Sequence, residues 1–308
     1  MKGVALDPMK ITLFRTARRL LWVALALNLG TWSVAEGLPA LSPRELVRRA
    51  VENEIKSNNQ ATRYMCLQRR ETPAGSQTKL LVETRDAMVG LVVANNGQPL
   101  NREQRQAEYG RIERFVNDPA ELARKRRQEK ESAERVNLIL KALPDAFLYE
   151  YDGTETGRPG VGKPGDELLR LKFHPNPKYD PPSRVELVLV GMQGVVLIDA
   201  PKQHIARIDG TLFKDVSFGW GILGHLDRGG HFQVDQTDIG DNTWSIARMD
   251  LAFTGKILLF KSIDIKSTEI YSDFHLVPPD LTFAQGIQLL KQQQASIAQN
   301  RTSSDGSK

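Results

Sequence analysis

The chain has 308 residues, with 42 Lys+Arg against 37 Asp+Glu, a formal charge of +5 and a pI near 9.2. The first 35 residues hold five of the basic residues and one acidic residue, so residues 36–308 carry 37 against 36, a net +1, which removes the compositional ground for nucleic-acid binding. Hydrophobic content of 40% and charged content of 26% are ordinary for a globular chain, and a single cysteine, Cys66, excludes an internal disulfide.

Lys10, Arg15, Arg18 and Arg19 precede an apolar run from Leu20 to Leu29, and the stretch closes on the small residues Ser33-Val34-Ala35. This is the layout of a secretory signal peptide cleaved after Ala35. The apolar core is about half of the roughly 20 residues a membrane-spanning helix needs, so export across the membrane is expected, with no transmembrane span after cleavage. Cys66 follows Arg63 and Tyr64 well into the chain and is not placed as a lipidated cysteine. Its neighbours Tyr64, Met65 and Leu67 predict a buried strand thiol.

Ser42-Pro43 and Glu45 read as a helix cap, a first-turn proline and an early acid, followed by Leu46, Val47, Ala50, Val51 and Ile55 at helical spacing. Residues 61–71, 78–85 and 87–94 read as an antiparallel meander. After Asn95-Asn96-Gly97, residues 101–142 read as a helical insertion, with apolar stripes at Tyr109, Ile112, Phe115 and Val116 and at Val136, Leu138, Ile139 and Leu140. Between them Arg124-Lys125-Arg126-Arg127 alternates with Glu129, Glu131 and Glu134, the pattern of a solvated face held by ion pairs.

From Phe147 the pattern is almost all β. Strands are expected at 147–152, 168–173, 185–190, 195–199, 205–213, 218–226, 231–238, 244–253 and 258–268, with turns such as Asp227-Arg228-Gly229-Gly230 between them. Leu169, Leu171 and Phe173 alternate with Arg170 and Lys172, and Ile263 and Ile265 alternate with Asp264 and Lys266, so one sheet face is dry. A helix is expected at 281–298 and a disordered polar tail at 299–308. The domain plan is therefore a leader at 1–35, one curved-sheet domain at 36–280, the closing helix and the tail.

Little of this carries reaction chemistry. Gly157 to Lys163 has the spacing of a phosphate loop, but Pro164 stands where a Ser or Thr must hold magnesium, and the segment leads into a strand, so a hairpin loop is predicted. His225, Asp227, His231, Asp235, Asp238 and Asp241 are the densest set of potential metal ligands, yet they fall on turns and wet strand positions, and no metal or cofactor is expected. No nucleophile elbow or paired-histidine zinc motif occurs, and no enzymatic role is expected. Aromatic residues spread through the sheet, among them Phe213, Trp220, Phe232, Phe253, Phe260, Tyr271 and Phe274, read either as core or as the wall of an apolar cavity.

Val195 to Asp199, His204 to Gly210 and Phe213 to Phe218, with Asn242-Thr243-Trp244 and Ile270 to Phe274, are similar to the strand pattern of the outer-membrane lipoprotein carrier proteins and their relatives, over about a third of the chain. The resemblance implies a mainly β (α+β) fold, a large, strongly curved antiparallel half-barrel sheet wrapped around helices. It also implies a periplasmic protein whose concave face holds a lipid or lipoprotein acyl chain. The wall residues expected on that reading are Phe147, Tyr149, Leu171, Phe173, Leu189, Ile205, Phe218, Trp244 and Ile263. The relatives also include periplasmic anti-sigma regulators, which implies the alternative of a sensor or interaction module docked on an envelope protein. An uncharacterised hydrolase built on His225 or His231 is the second alternative.

Overall fold

The structure, a computed structural model, describes residues 41–58, 62–218, 224–240, 243–257 and 261–305. The expected leader, Trp220, Asp241 and Phe260 lie outside these residues. The chain divides after Leu41, and every element below belongs to the unit Ser42–Lys308.

Helix α1 spans Pro43–Asn58. Pro43 supplies a φ already suited to the first turn, and the Ser42 hydroxyl accepts from Glu45 N at 3.2 Å. The expected meander follows as β1 (Arg63–Thr72), β2 (Gly75–Val82), β3 (Val89–Asn95) and the short β4 (Gln98–Pro99). The helical insertion is two helices, α2 (Arg102–Asn117) and α3 (Pro119–Ala146). Asn101 and Gln104 form a reciprocal capping box on α2. The chain breaks at Asp118 because the residue before a proline is pushed out of the helical region; Asp118 instead caps α3, accepting from Ala120 N at 2.9 Å.

The β-rich half comprises β5 (Phe147–Thr156), β6 (Glu167–Pro175), β7 (Met192–Asp199), β8 (His204–Leu212), β9 (Val216–Phe218), β10 (Gly224–Leu226), β11 (His231–Asp238), β12 (Trp244–Ile257) and β13 (Lys261–Val277). Residues expected as a strand at 185–190 are instead a 3-10 helix, Glu186–Gly191, because a short apolar run has no period that separates strand from buried helical turn. Helix α4 spans Phe283–Asp305, past the expected end at 298 into the segment read as a tail; no glycine or proline stands between Gly286 and Asp305 to stop it.

Among the described residues the strands form one large, open, curved antiparallel sheet in the order β4-β3-β2-β1-β13-β12-β11-β8-β7-β6-β5, with β9 and β10 attached beside β12. Since alternate residues point to opposite faces, the register decides which face each cluster occupies. Val196, Ile208, Val234, Met249 and Glu269 are successive register partners from β7 to β13 and share one face, continued by Arg70 on β1. On that face Leu171, Phe173, Val196, Ile205 and Leu212 pack against Leu46, Val47, Ala50 and Val51 of α1 and Ala142, Leu143 and Ala146 of α3. At the other end the core lies on the opposite face: Met65, Leu80, Val82, Val89 and Leu91 pack against Ile112 of α2 and Phe283, Ile287 and Leu290 of α4. We call the two sides the α1 face and the α4 face.

Helix α2 also closes the sheet's margin. Glu108 accepts the Val92 N–H at 2.8 Å and Arg111 donates to the Gly90 carbonyl at 2.8 Å, while the two side chains pair at 2.7 Å. The free backbone groups of β3, an open edge for aggregation, are thereby occupied by side chains.

Candidate ligand-binding face

The nine residues expected to wall a cavity separate into three groups. Phe147, Leu171, Phe173, Leu189 and Ile205 are buried in the cluster under α1 and α3, with Tyr149 and Phe218 packed against it. Phe147 and Phe173 meet at 4.7 Å between ring centroids, and the Tyr149 hydroxyl donates to the Leu143 carbonyl at 2.8 Å, so this region is filled by the protein's own side chains. Burial pushes the Tyr149 phenol far above its usual range.

Trp244 belongs elsewhere, in a small cluster with Val161, Leu168, Leu197 and Ala206. It stacks on His204 at 4.8 Å. His204 is itself a staple between β8 and α1: Nδ1 lies 3.3 Å from Glu54 Oε1 and Nε2 lies 3.2 Å from Asn53 Nδ2. Both ring nitrogens are thus engaged, and Glu54 and His204 are buried. Ile263 stands apart on β13, half-buried, on the α1 face.

Two surface depressions can be described, of about 470 Å³ beside Pro175, Tyr179, Phe213 and Lys214 and about 30 Å³ beside Tyr64, Phe274 and Leu276. None of the nine residues lines either one. What the sequence reading missed is a strip on the α1 face between the two helical covers. The helices pack chiefly on β2, β3, β5 and β8, leaving β11, β12 and β13 without extensive helical cover. Val234, Met249, Leu251 and Ile263 are half-buried there, Phe232 and Phe253 are half-buried at its border with the cluster under α1 and α3, and Ile265 is 44% exposed. Strand alternation in β12 was the available signal; its placement beside β13 depends on the register Phe253↔Ile265 and Leu251↔Ser267.

The remaining candidates are dispersed. Asp235 is held bidentate by Arg207 at 2.6 and 3.0 Å, and His231 lies 3.1 Å from Asp209. His225 lies 3.1 Å from Asp227 and across from Ser217, on the short β9–β10 ribbon where its side chain is a third exposed. Among the described residues no three His, Cys, Asp or Glu side chains converge as a metal site. The loop at 157–165 is the expected hairpin: Gly157 N donates to Asp166 O and Gly162 N to Gln236 O, at 2.8 and 2.7 Å.

On the α1 face of β1 and β2 lies a second, polar region. Tyr64, Cys66 and Glu83 crowd together, and burial, foremost, pushes the Glu83 carboxyl to about 7 and the Cys66 thiol to about 12. Alongside, Lys79, Arg70 and Arg111 bring three cations to the margin of the apolar strip.

No protein-family model matches the chain, and no curated protein matches it. Among solved structures it is similar to a DUF1329 family protein from Desulfovibrio piger, at 8% identity over 76% of this chain and 93% of that one, with a TM-score of 0.26. A likeness at that score carries no argument about either fold or function. No helix among the described residues is long and apolar enough to cross a membrane.

Proposed function

We propose that this is a non-enzymatic binding protein of the bacterial envelope, which holds an apolar chain such as that of a lipid or lipoprotein against the α1 face of its sheet. The observation that carries the reading is the strip Met249, Leu251, Phe253, Ile263 and Ile265, five large apolar side chains on adjacent strands left partly in water. Contiguous apolar surface left half in water marks a binding site more often than isolated side chains do. Each methylene of a chain laid there gains about 0.8 kcal/mol on full burial. The binding residues on this reading are the strip and not the filled cluster around Phe147, Leu171 and Phe173, which serves as its rigid floor.

Mass spectrometry of organic extracts from protein purified out of its native envelope tests the proposal. Stoichiometric lipid, lost in a Leu251→Asp variant that keeps its circular dichroism, is the expected result. A lipid-free extract accompanied by one tightly co-purifying envelope protein would overturn it. That outcome belongs to the second reading, an interaction module, which the self-filled core under α1 and α3 favours.

A further inference from the structure

Past Glu269, the apolar strip is followed by a cluster of positive charge on β1, β2 and α2, of which Lys79 alone makes no ion pair among the described residues. On the α1 face, Gln77, Arg70, Glu269, Met249 and Val234 are register partners on five adjacent strands, so Arg70 lies two strand spacings, about 10 Å, from Met249. Lys79 is the partner of Gln68, two pairs further along and so on the same face, and of Val92 on β3. Arg111 reaches the same corner from α2 through its bond to the Gly90 carbonyl.

Two carboxylates face these three cations, and both are committed. Glu108 is held by Arg111 and by the Val92 N–H. Glu269 lies 3.5 Å from Arg70 and accepts from Gln68 Nε2 at 3.0 Å and the Tyr271 hydroxyl at 2.6 Å. Lys79 is left half-buried, and among the described residues no carboxylate lies within 4.0 Å of its ammonium. Burial first, then the charges of Arg111 and Arg70, hold its pKa below the ordinary lysine value. A half-buried ammonium crowded by two guanidiniums costs stability unless an anion joins it.

We propose that the strip takes a fatty carboxylate, with the carboxylate at Lys79, Arg70 and Arg111 and the hydrocarbon tail over Met249, Leu251 and Phe253. The inference rests on the proposed function and adds the headgroup. The tail's path along β12 from Met249 to Phe253 is about 13 Å; Arg70 on β1 lies two strand spacings from β12 and Lys79 on β2 three, a span that accommodates a medium-length chain with its carboxylate at the tips of these long side chains.

Calorimetric titration of the whole chain with laurate and with dodecanol, which share a tail and differ in charge, tests it. Laurate is expected to bind about tenfold more tightly, an advantage weakened by salt and lost in Lys79→Gln. Lys79→Gln removes a crowded cation and so should fold; Arg70→Gln, checked by circular dichroism, is the second variant and should lose part of the same advantage. Equal affinity for laurate and dodecanol, or a laurate preference that survives both substitutions, overturns the headgroup assignment while leaving the apolar site standing. Binding of neither compound overturns both.

Discussion

The same substitution at two helix glycines should move stability in opposite directions. Gly286 lies in the first turns of α4, where an added Cβ would stand 2.8 Å from Thr84 Cγ2, 3.1 Å from Val89 Cγ2 and 3.2 Å from Val82 Cγ1. Carbon atoms rest at about 3.5–4.0 Å, so α4 must withdraw by about half an ångström or more, loosening Phe283, Ile287 and Leu290 from the sheet. Overpacking of this kind costs about 1–3 kcal/mol, against about 1 kcal/mol gained when alanine replaces glycine in a helix. Gly286→Ala should therefore destabilise by roughly 0–2 kcal/mol, and Gly286→Val by more. Gly110, within α2, is exposed with nothing within 4 Å of its would-be Cβ. Gly110→Ala should stabilise by about 0.5–1 kcal/mol. Urea titration followed by circular dichroism reads both as midpoint shifts of opposite sign at unchanged slope. Midpoints that move the same way in the two variants would refute the reading of Gly286 as the point of close helix–sheet approach.

The buried Cys66 thiol, pushed to about 12, should resist a thiol-specific disulfide reagent at pH 8 in the native protein and react at once in urea; fast native labelling would contradict its burial. Glu83, raised to about 7, binds its proton more tightly folded than unfolded, so its contribution to stability is greatest below the ordinary carboxyl range and falls as pH rises from about 4.5 to about 7. Glu83→Gln should flatten the stability profile across that window and gain on the order of 2–3 kcal/mol at pH 8, read by urea titration at a series of pH values. Glu54→Ala strips the buried His204 of its Nδ1 partner and should cost about 1–3 kcal/mol, with the α1 segment becoming the first site of limited proteolysis.

Much of the local structure is written in single residues. Pro43 behind Ser42 starts α1, Asp118-Pro119 both ends one helix and caps the next, and the apolar neighbours of Cys66 announce a buried strand. The run Val185–Val190 forms a helical turn and not the expected strand, because its five apolar residues, interrupted by Glu186, satisfy both equally. The alternation of Leu169, Leu171 and Phe173 with Arg170 and Lys172 marked a dry face, and Leu171 and Phe173 are buried, but alternation does not say whether a dry face meets a ligand or the protein's own helix.

The sequence by itself determined most of the element types and the antiparallel connectivity of neighbouring hairpins, because these depend on contacts within a short stretch of chain, and its composition alone set the near-neutral charge beyond residue 35. Only the tertiary structure decided that the helical cover is split between the two faces, that the wall expected around Phe173 is solid core, and that the strip along β12 stays open. Those outcomes depend on pairings such as Arg70↔Glu269 and Glu269↔Met249, which join residues from β1, β13 and β12. Shifting either register by a single residue would turn the same side chains to the opposite face. Lys79 illustrates the difference: within its strand it reads as an ordinary solvent-facing lysine, and it becomes one of three converging cations only when β1, β3 and α2 are assembled around it.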